Sequence, residues 1–383
     1  MSTSFALVNA RVLAAQGLIE EGAVVVRDGR IAAVTDAAGA KAHTDDLRDL
    51  QGAWLAPGFI DIQVNGGGGV LFNNTPTAAG IEAIGKAHRK FGTTAFLPTL
   101  ISDGADVMRT AIDATRQAIA QGVDGVLGVH LEGPYLAPAR KGTHDMQRFR
   151  VPDADEIEMV TALDNGLTLL TVAPEVIGPE RIAAFCARGA MVVAGHTAAT
   201  YEQVRAGLQA GLRGFTHLYN AMSPLQGREP GAVGAALEDA DSWCGVIVDG
   251  VHVHPGSLRV ALAAKPRGKV LLVTDAMPMV GDASPSFDLY GETITAVDGV
   301  VRNAAGSLAG SALDMASAVR NSVQLLGLSL EEAVRMAALY PAQFLKLEHE
   351  RGSIAPGLRA DLVALDAQLG VVQTWIGGRA SAA

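Results

Sequence analysis

The sequence predicts an α/β fold, a (β/α)8 TIM-like barrel with a small β-sandwich domain formed by both chain termini. Two observations predict this architecture. Apolar strand patterns alternate with amphipathic helix patterns through residues 57–344, and strand patterns dominate residues 1–56 and 345–383. A doubly wound open sheet is the structural alternative, because it is built from the same alternation.

The two ends of the chain carry the patterns of short strands. Residues 5–13 and 22–34 are rich in Val, Leu and Ile, and the second stretch contains Asp28-Gly29, a pair typical of a tight hairpin turn. Residues 360–366 and 371–376 repeat this character near the C terminus. We expect the strands of both ends to share one sandwich.

Eight buried strands are predicted for the barrel, with helical stretches between most of them. The strands cover residues 58–63, 93–98, 126–131, 167–172, 191–194, 214–217, 244–248 and 270–274, and the helical stretches include 77–91, 105–121, 179–188 and 201–210. The active site of such a barrel lies at the C-terminal ends of its strands. Polar residues at those ends are therefore candidates for function.

The composition indicates an acidic globular protein with a large core. Hydrophobic residues make up 49% of the chain and charged residues 18%, which argues against disorder. The formal net charge is −10, and no basic stripe is present, so nucleic acid and anionic membrane surfaces are poor partners. Any anion that the chain binds must therefore meet cations placed locally.

The cysteines and the first residues predict a cytoplasmic location. Cys186 and Cys244 are the two cysteines, and their spacing suits neither a disulfide framework nor a metal site. The chain does not begin with a basic segment followed by an apolar run, and it contains no run of about 18 apolar residues. We therefore expect neither secretion nor a membrane-spanning helix.

Three strand ends carry side chains that bind divalent cations. Glu132 precedes a Gly-Pro pair after the third predicted strand, His196 ends the fifth and His217 ends the sixth. One carboxylate and two imidazoles hold a cation and leave a coordination position open for water. Asp275 follows the eighth strand, where it is placed to take a proton from that water. The set predicts a hydrolytic site.

Each of these residues also has a structural interpretation. A strand-end Glu or Asp often caps the next segment, and a His beside an apolar run is often a hydrogen-bonded core residue. Their joint position at strand ends favours the site. His130 shares the face of Glu132 one pleat deeper, so we expect it to lie outside the ligand set, and we interpret His254 as structural.

Eight short motifs follow one another in a fixed order. They are Pro57-Gly58-Phe59-Ile60-Asp61, His130-Leu131-Glu132-Gly133-Pro134, Lys141-Gly142-Thr143-His144, Gly195-His196-Thr197, His217-Leu218-Tyr219-Asn220-Ala221-Met222, Gly227-Arg228-Glu229-Pro230-Gly231, Asp249-Gly250-Val251-His252 and Thr274-Asp275-Ala276. The set resembles the N-acetylglucosamine-6-phosphate deacetylase family of the amidohydrolase superfamily. The resemblance implies the same barrel and sandwich, and the loss of acetate from N-acetyl-D-glucosamine 6-phosphate to give D-glucosamine 6-phosphate.

The resemblance also implies a role for each matching residue. Glu132, His196 and His217 match the metal ligands. Asp275 matches the general base that later protonates the departing amine, and His144 matches a catalytic residue that helps to polarise the acetyl carbonyl. The substrate contacts that it implies are Thr143, His144, Asn220, Ala221, Arg228, His252, Leu308, Ala309 and Gly310.

Arg228 is the expected clamp for the substrate phosphate. A guanidinium matches phosphate oxygens through its planar fork, and an acidic protein needs such a local cation. Members of the resembling family are commonly homodimers in which the neighbouring subunit helps to close the phosphate site. We therefore expect a homodimer that acts on a small sugar phosphate.

One departure from the wider superfamily concerns the number of metal ions. Many members carry a His-x-His pair on the first barrel strand that holds a second metal, whereas this chain has Gln63 and Asn65 at those places. Amide side chains are weak ligands for transition metals. We predict one divalent metal per subunit, with Gln63 at most contacting its water or a weak second site. Zinc is the expected ion, and Fe(II), Mn(II) or Co(II) would suit the same ligands.

Two other functions stay open at this point. A deacetylase for N-acetylgalactosamine 6-phosphate or another acylamino compound would share the barrel and the ligands. A sugar-phosphate sensor would bind without turnover, although a sensor has no need of Asp275. Activity on a panel of acetamido sugars would separate the three.

Overall fold

The computed structural model of the protein describes residues 4–381. These residues form two compact units. One consists of residues 4–61, 88–95 and 315–381, and the other of residues 62–87 and 96–314. The division into a domain of residues 1–56 with 345–383 and a domain of residues 57–344 stays a prediction.

The barrel is a sheet of eight parallel strands, in agreement with the alternating patterns. The strands are Phe59–Val64, Thr93–Ile101, Gly128–Glu132, Leu167–Val172, Met191–Ala194, Gly214–Phe215, Trp243–Val246 and Val270–Leu272. They lie side by side in chain order. A parallel bridge between Val64 and Ala276 joins the two ends of the sheet, which nearly closes it. The TIM-like barrel is therefore confirmed, and the open doubly wound sheet is wrong.

Helices connect most of the barrel strands, and further helices precede and follow the barrel. They are Ala37–Lys41, Ala78–Arg89, Ala105–Ala120, Ala154–Val160, Pro174–Ala187, Tyr201–Gln209, Gly231–Glu238, Pro255–Ala264, Met315–Leu326, Leu330–Ala337 and Leu339–Phe344. The helix predicted from residue 179 begins earlier, at Pro174. The chain kinks at Gly178, so the sequence pattern showed only the part of the helix after the kink. Within residues 4–381, every helix is too short or too polar to cross a membrane.

Strands from both termini share one sheet. Its strands are Ser4–Ala14, Gly17–Arg27, Arg30–Asp36, Leu47–Asp49, Trp54–Pro57, Leu362–Leu365, Val371–Ile376 and Arg379–Ala380. Trp54–Pro57 pairs with Ser4–Ala14 in parallel and with Leu362–Leu365 in antiparallel orientation. Asp28 and Gly29 form the predicted hairpin turn with φ of 49° and 78°, the left-handed conformation that such a turn requires.

Apolar side chains cover both faces of this terminal sheet. Leu7, Leu55 and Leu362 belong to one buried cluster, which also contains Trp375. Successive residues of a strand point to opposite faces, so Val8 contributes to a second cluster that includes the helix Ala37–Lys41. The arrangement fits the small β-sandwich domain that we expected from the sequence.

A three-stranded antiparallel sheet that follows the last barrel strand along the chain escaped sequence prediction. Its strands are Ser286–Leu289, Glu292–Val297 and Val300–Arg302, and a second small hairpin, Gly66–Gly67 with Val70–Leu71, follows the first barrel strand. The strands are short and polar on one face, which gives a weak pattern. Their apolar face packs against Met277 and Ala309, so the sheet supports the segment that contains Leu308 and Gly310.

Candidate metal and catalytic site

Three barrel strand ends bring the predicted metal ligands together. Glu132 is the last residue of its strand, and His196 and His217 each lie two residues beyond a strand. All three side chains are buried. Glu132 Oε1 lies 3.0 Å from His196 Nε2 and 2.9 Å from His217 Nε2, and the two Nε2 atoms are 3.2 Å apart. Among the described residues, these three form a cluster able to hold a metal ion.

The spacing of the three donor atoms suits a bound cation. Zinc binds imidazole nitrogen and carboxylate oxygen at about 2.0–2.2 Å, and donors at that distance from one ion lie a little over 3 Å apart. His196 Nδ1 lies 2.8 Å from the carbonyl oxygen of Arg140. Because a carbonyl oxygen only accepts hydrogen bonds, Nδ1 carries the proton and Nε2 presents its lone pair. His196 is thus held as the tautomer that binds a metal ion through Nε2.

The charges of the ligand cluster stabilise one another. Burial alone would raise the pKa of Glu132, but its interactions with the imidazoles of His196 and His217 outweigh burial and hold that pKa well below its usual range. Burial also opposes positive charge on His217, yet the hydrogen bond to Glu132 and the carboxylate charge raise the pKa of His217. Glu132 is therefore an anion, the form in which a carboxylate binds a cation.

Three residues that follow barrel strands share a backbone conformation that is rare for residues other than glycine. φ is 48° at His196, 32° at His217 and 53° at Asp275. A left-handed conformation costs a residue with a Cβ about 1 kcal/mol or more, and such strain clusters at functional sites. The conformation turns the chain sharply at the end of each strand, at the residues for which the sequence predicted chemistry.

Asp275 is buried beside the ligand cluster. Its Oδ1 accepts hydrogen bonds from Asn65 Nδ2 at 2.6 Å and from Gln63 Nε2 at 3.2 Å. Burial, together with the charge of Glu132, raises the pKa of Asp275 to about 6. A carboxyl with a pKa in this range is suited to accept a proton and to return it near neutral pH.

Gln63 connects the ligand cluster to Asp275. Its Nε2 donates to Glu132 Oε2 at 3.1 Å as well as to Asp275. Both neighbours are carboxylates, which accept, so the amide must turn its nitrogen toward them. The predicted contact of Gln63 with a metal-bound water stays a prediction.

His144 lies in the loop that follows the third barrel strand, between short 3-10 turns at Pro138–Arg140 and Met146–Arg148. Its Nδ1 accepts from the backbone N–H of Ser102 at 3.3 Å and lies 2.8 Å from the Ser102 hydroxyl. Because a backbone N–H only donates, the proton of neutral His144 is on Nε2, 4.0 Å from Glu132 Oε1. Burial and the nearby charge of His196 hold the pKa of His144 well below its usual range, so the ring is a neutral donor.

The cluster opens into a cavity of about 500 Å³. Beside Glu132, His196, His217 and Asp275, the predicted residues that line it are Thr143, His144, Asn220, Ala221, His252, Leu308 and Gly310. Arg228 is exposed and Ala309 is fully buried, and within the described part of the chain neither lines the cavity. Their contacts with a substrate stay predictions. Gly310 has φ of 66°, and a Cβ there would lie 2.9 Å from the carbonyl oxygen of Asp275, so glycine is required at this position.

Several functional candidates were missed from the sequence. Arg140 and Lys141 line the cavity, and across residues 4–381 their side chains have no hydrogen-bond or ion-pair partner. Lys141 begins the motif that ends at His144, where no role was assigned to it, and Arg140 directly precedes this motif, a position that could have revealed it. Ser102 follows the second barrel strand, and this strand-end position was its signal. His130 is buried, with Nε2 2.8 Å from the hydroxyl of Thr171, and its place outside the ligand set stays a prediction.

Comparison with known proteins identifies the family. Residues 54–380 match the amidohydrolase family. The chain belongs to the amidohydrolase family. It is 43% identical to an N-acetylgalactosamine-6-phosphate deacetylase of Shewanella sp. (strain ANA-3) over 98% of this chain and 96% of the relative. It is 38% identical to the N-acetylglucosamine-6-phosphate deacetylase of Bos taurus over 87% of this chain and 85% of the relative.

Solved structures extend this similarity to the whole fold of the amidohydrolase. The N-acetylglucosamine-6-phosphate deacetylase of Pasteurella multocida superposes with a TM-score of 0.95 at 34% identity and covers 100% of both chains. That of Mycobacterium smegmatis superposes with a TM-score of 0.91 at 33% identity over 99% of this chain and 100% of that chain. The barrel and its terminal sheet are thus shared along their full length.

Removal of one imidazole should release the metal ion. In His196→Ala, two donors remain at a site built from three, so we expect the metal content of the purified protein to fall from about one ion per chain to near zero during mild chelation. Elemental analysis by mass spectrometry measures this. His349→Ala, which changes an exposed histidine, should leave the metal content unchanged. Full retention of metal by His196→Ala would remove His196 from the ligand set.

Proposed function

We propose that this amidohydrolase removes the acetyl group from N-acetyl-D-glucosamine 6-phosphate and releases D-glucosamine 6-phosphate and acetate. The observation that carries the proposal is the convergence of Glu132, His196 and His217 with Asp275 and His144 on one cavity. The relatives from Pasteurella multocida and Bos taurus are named for this activity. Their names supply the substrate class, and the site supplies the chemistry.

Glu132, His196 and His217 would hold one divalent cation, for which we propose zinc. Fe(II), Mn(II) and Co(II) suit the same mixture of imidazole and carboxylate donors. When bound, such an ion supplies Lewis acidity toward the amide carbonyl and lowers the pKa of a water molecule. Two features of the chain support this role: Glu132 is anionic, and His196 has its proton on Nδ1.

Asp275 is the proposed proton carrier. It takes a proton from the attacking water as the water oxygen bonds to the acyl carbon. It then gives that proton to the amide nitrogen as the carbon–nitrogen bond breaks, which releases an amine and acetic acid. Hydrogen bonds from Asn65 and Gln63 hold the carboxyl in place for both transfers.

His144 is the proposed donor to the acetyl carbonyl oxygen. Hydrogen bonding by Ser102 leaves the imidazole proton on Nε2, and the low pKa of His144 keeps the ring neutral. A preorganised N–H donor stabilises negative charge that develops on a carbonyl oxygen during attack. The hydrogen bond from His144 to the acetyl oxygen would therefore be weak in the bound amide and stronger in the transition state.

Acetate release by the purified protein tests the proposed function. N-Acetylglucosamine 6-phosphate should give acetate and D-glucosamine 6-phosphate in equal amounts, and chelation should abolish the reaction. Unphosphorylated N-acetylglucosamine should react far more slowly. Binding of the sugar phosphate with no acetate release at full metal occupancy would contradict the proposal and support a sensor.

N-Acetylgalactosamine 6-phosphate is the second candidate substrate. Relatives from Shewanella sp. (strain ANA-3) and Escherichia coli O157:H7, at 43% and 36% identity, are named as deacetylases of this epimer. The two sugars differ at C4 alone, so the same metal cluster and base serve both. A comparison of kcat/KM for the two substrates decides between them, and a higher value for the galactose epimer would reverse our assignment.

Substitution of Asp275 should affect turnover much more than binding. In Asp275→Asn, the amide is similar in shape to the carboxyl but does not accept a proton, so we expect kcat to fall about a hundred-fold to ten-thousand-fold. Metal content and affinity for D-glucosamine 6-phosphate, measured on the same preparation, should stay close to wild type. Near-normal kcat would remove Asp275 from the mechanism.

Phosphate recognition makes a separate prediction for Arg228. We propose a homodimer in which the neighbouring subunit helps to close the phosphate end of the cavity, because Arg228 is exposed on its own chain. Arg228→Ala should raise KM for the phosphorylated substrate about ten-fold or more, with little change for the unphosphorylated sugar. Lys141→Met is the comparison, because Lys141 lines the cavity of its own chain. A larger KM effect in Lys141→Met than in Arg228→Ala would overturn the assignment of the clamp to Arg228.

We also propose that the protein acts in the cytoplasm. Both cysteines are free thiols, which suits a reducing compartment. The proposed substrate is a charged sugar phosphate, and such compounds are made and consumed inside cells.

A further inference from the structure

Asp249 and His252 form a pair at the end of the seventh barrel strand. Asp249 follows Trp243–Val246, and its Oδ2 lies 2.6 Å from Nδ1 of His252. Its other carboxylate oxygen, Oδ1, accepts the backbone N–H groups of Val251 at 2.8 Å and of His252 at 2.9 Å. The side chain of Asp249 is 15% exposed and that of His252 is 6% exposed. The whole turn is therefore built around the carboxylate of Asp249.

The pairing determines which atom His252 offers to the cavity. Because the Asp249 carboxylate only accepts, His252 Nδ1 is the donor. Nε2, on the far side of the ring, remains available to a ligand. Nε2 has no hydrogen-bond partner within residues 4–381, and His252 lines the cavity, whereas Asp249 does not. With a phosphate at Nε2, the ring would lie between two anions and would donate a hydrogen bond to each of them.

We propose that Asp249 is a positioning residue for phosphate recognition, which acts by holding His252 with Nε2 directed at the substrate phosphate. The inference rests on the proposed function, because it takes a sugar phosphate as the ligand of the cavity. Asp249 itself does not touch the substrate. It sets the orientation of the ring that does.

Asp239 is a matched control at the other end of the same strand. It precedes Trp243–Val246, its Oδ1 accepts the backbone N–H groups of Asp241 and Ser242, and its Oδ2 pairs with Arg205 at 3.0 Å. The geometry thus repeats that of Asp249, with a cation as partner, but Asp239 does not line the cavity. A loss of stability alone should affect both aspartates alike.

Asp249→Asn separates the positioning role from the structural one. The amide oxygen of Asn still accepts the two backbone N–H groups, so the turn stays closed. Its NH2 group then faces Nδ1 of His252, which forces Nδ1 to accept and removes the negative charge beside the ring. We expect KM for the phosphorylated substrate to rise about ten-fold or more, with kcat within about three-fold of wild type and with unchanged metal content. Asp239→Asn should change neither kinetic constant.

A double variant tests whether Asp249 and His252 act through the same contact. His252→Gln should raise KM as Asp249→Asn does, and the double variant should add little to either, since both act through one contact. Additive effects would show that Asp249 acts independently of His252 and would overturn the inference. An unchanged KM in Asp249→Asn, or an equal rise in Asp239→Asn, would also overturn it.

Binding of D-glucosamine 6-phosphate tests the inference without turnover. Calorimetry should show a Kd for this ligand that rises about ten-fold or more in Asp249→Asn and stays constant in Asp239→Asn. If the wild-type protein releases no acetate, the proposed function fails, while this difference in Kd still supports the role of Asp249. If acetate is released and the Kd is the same in all three proteins, the inference fails and the proposed function stands.

Discussion

The convergence of Glu132, His196 and His217 is the interaction on which the rest of the site depends. Three polar side chains lie buried at the barrel mouth, with donor atoms 2.9 to 3.2 Å apart. Such a cluster is costly without a counter-charge, because a buried carboxylate and two imidazole lone pairs repel one another once the rings are neutral. A divalent cation held by these three residues would resolve this conflict and would supply an electrophile to the cavity. Asp275 and His144 would take their proposed roles from their positions beside this cluster.

The barrel geometry explains how residues far apart in sequence meet there. Parallel strands present all their C-terminal ends at one rim, so each strand end contributes a side chain to the same space. At His196, His217 and Asp275 the chain leaves the strand through a residue in the left-handed conformation. The surrounding eight-stranded sheet holds these residues in that conformation despite its energetic cost. The barrel is therefore regular along its strands and strained at the residues for which we propose chemistry.

Local patterns predicted the barrel and the residues at its strand ends, because a strand followed by a polar break is visible within ten residues of sequence. The strand Leu167–Val172 and the ligand Glu132 are examples. Interactions that join distant segments were not visible in this way. The hydrogen bond of Ser102 with His144 spans 42 residues, and that of Tyr290 with the carbonyl of Ser102 spans 188. Such pairings arise from the fold as a whole, and neither residue carries a local mark of its partner.

The residues of the first barrel strand support the proposal of one metal ion in this chain and not two. A second cation would need acceptor atoms, and the carboxylate oxygens nearest to Gln63 are Glu132 Oε2 and Asp275 Oδ1. Gln63 and Asn65 direct N–H groups at these two oxygens. The two carboxylate oxygens thus accept hydrogen bonds from neutral donors. The carboxylate of Asp275 keeps its negative charge and can take up a proton. Imidazoles at these two positions would offer lone pairs in place of N–H donors and would compete for a cation. The two amides that disfavour a second metal therefore also hold Asp275, the proposed proton carrier, in place.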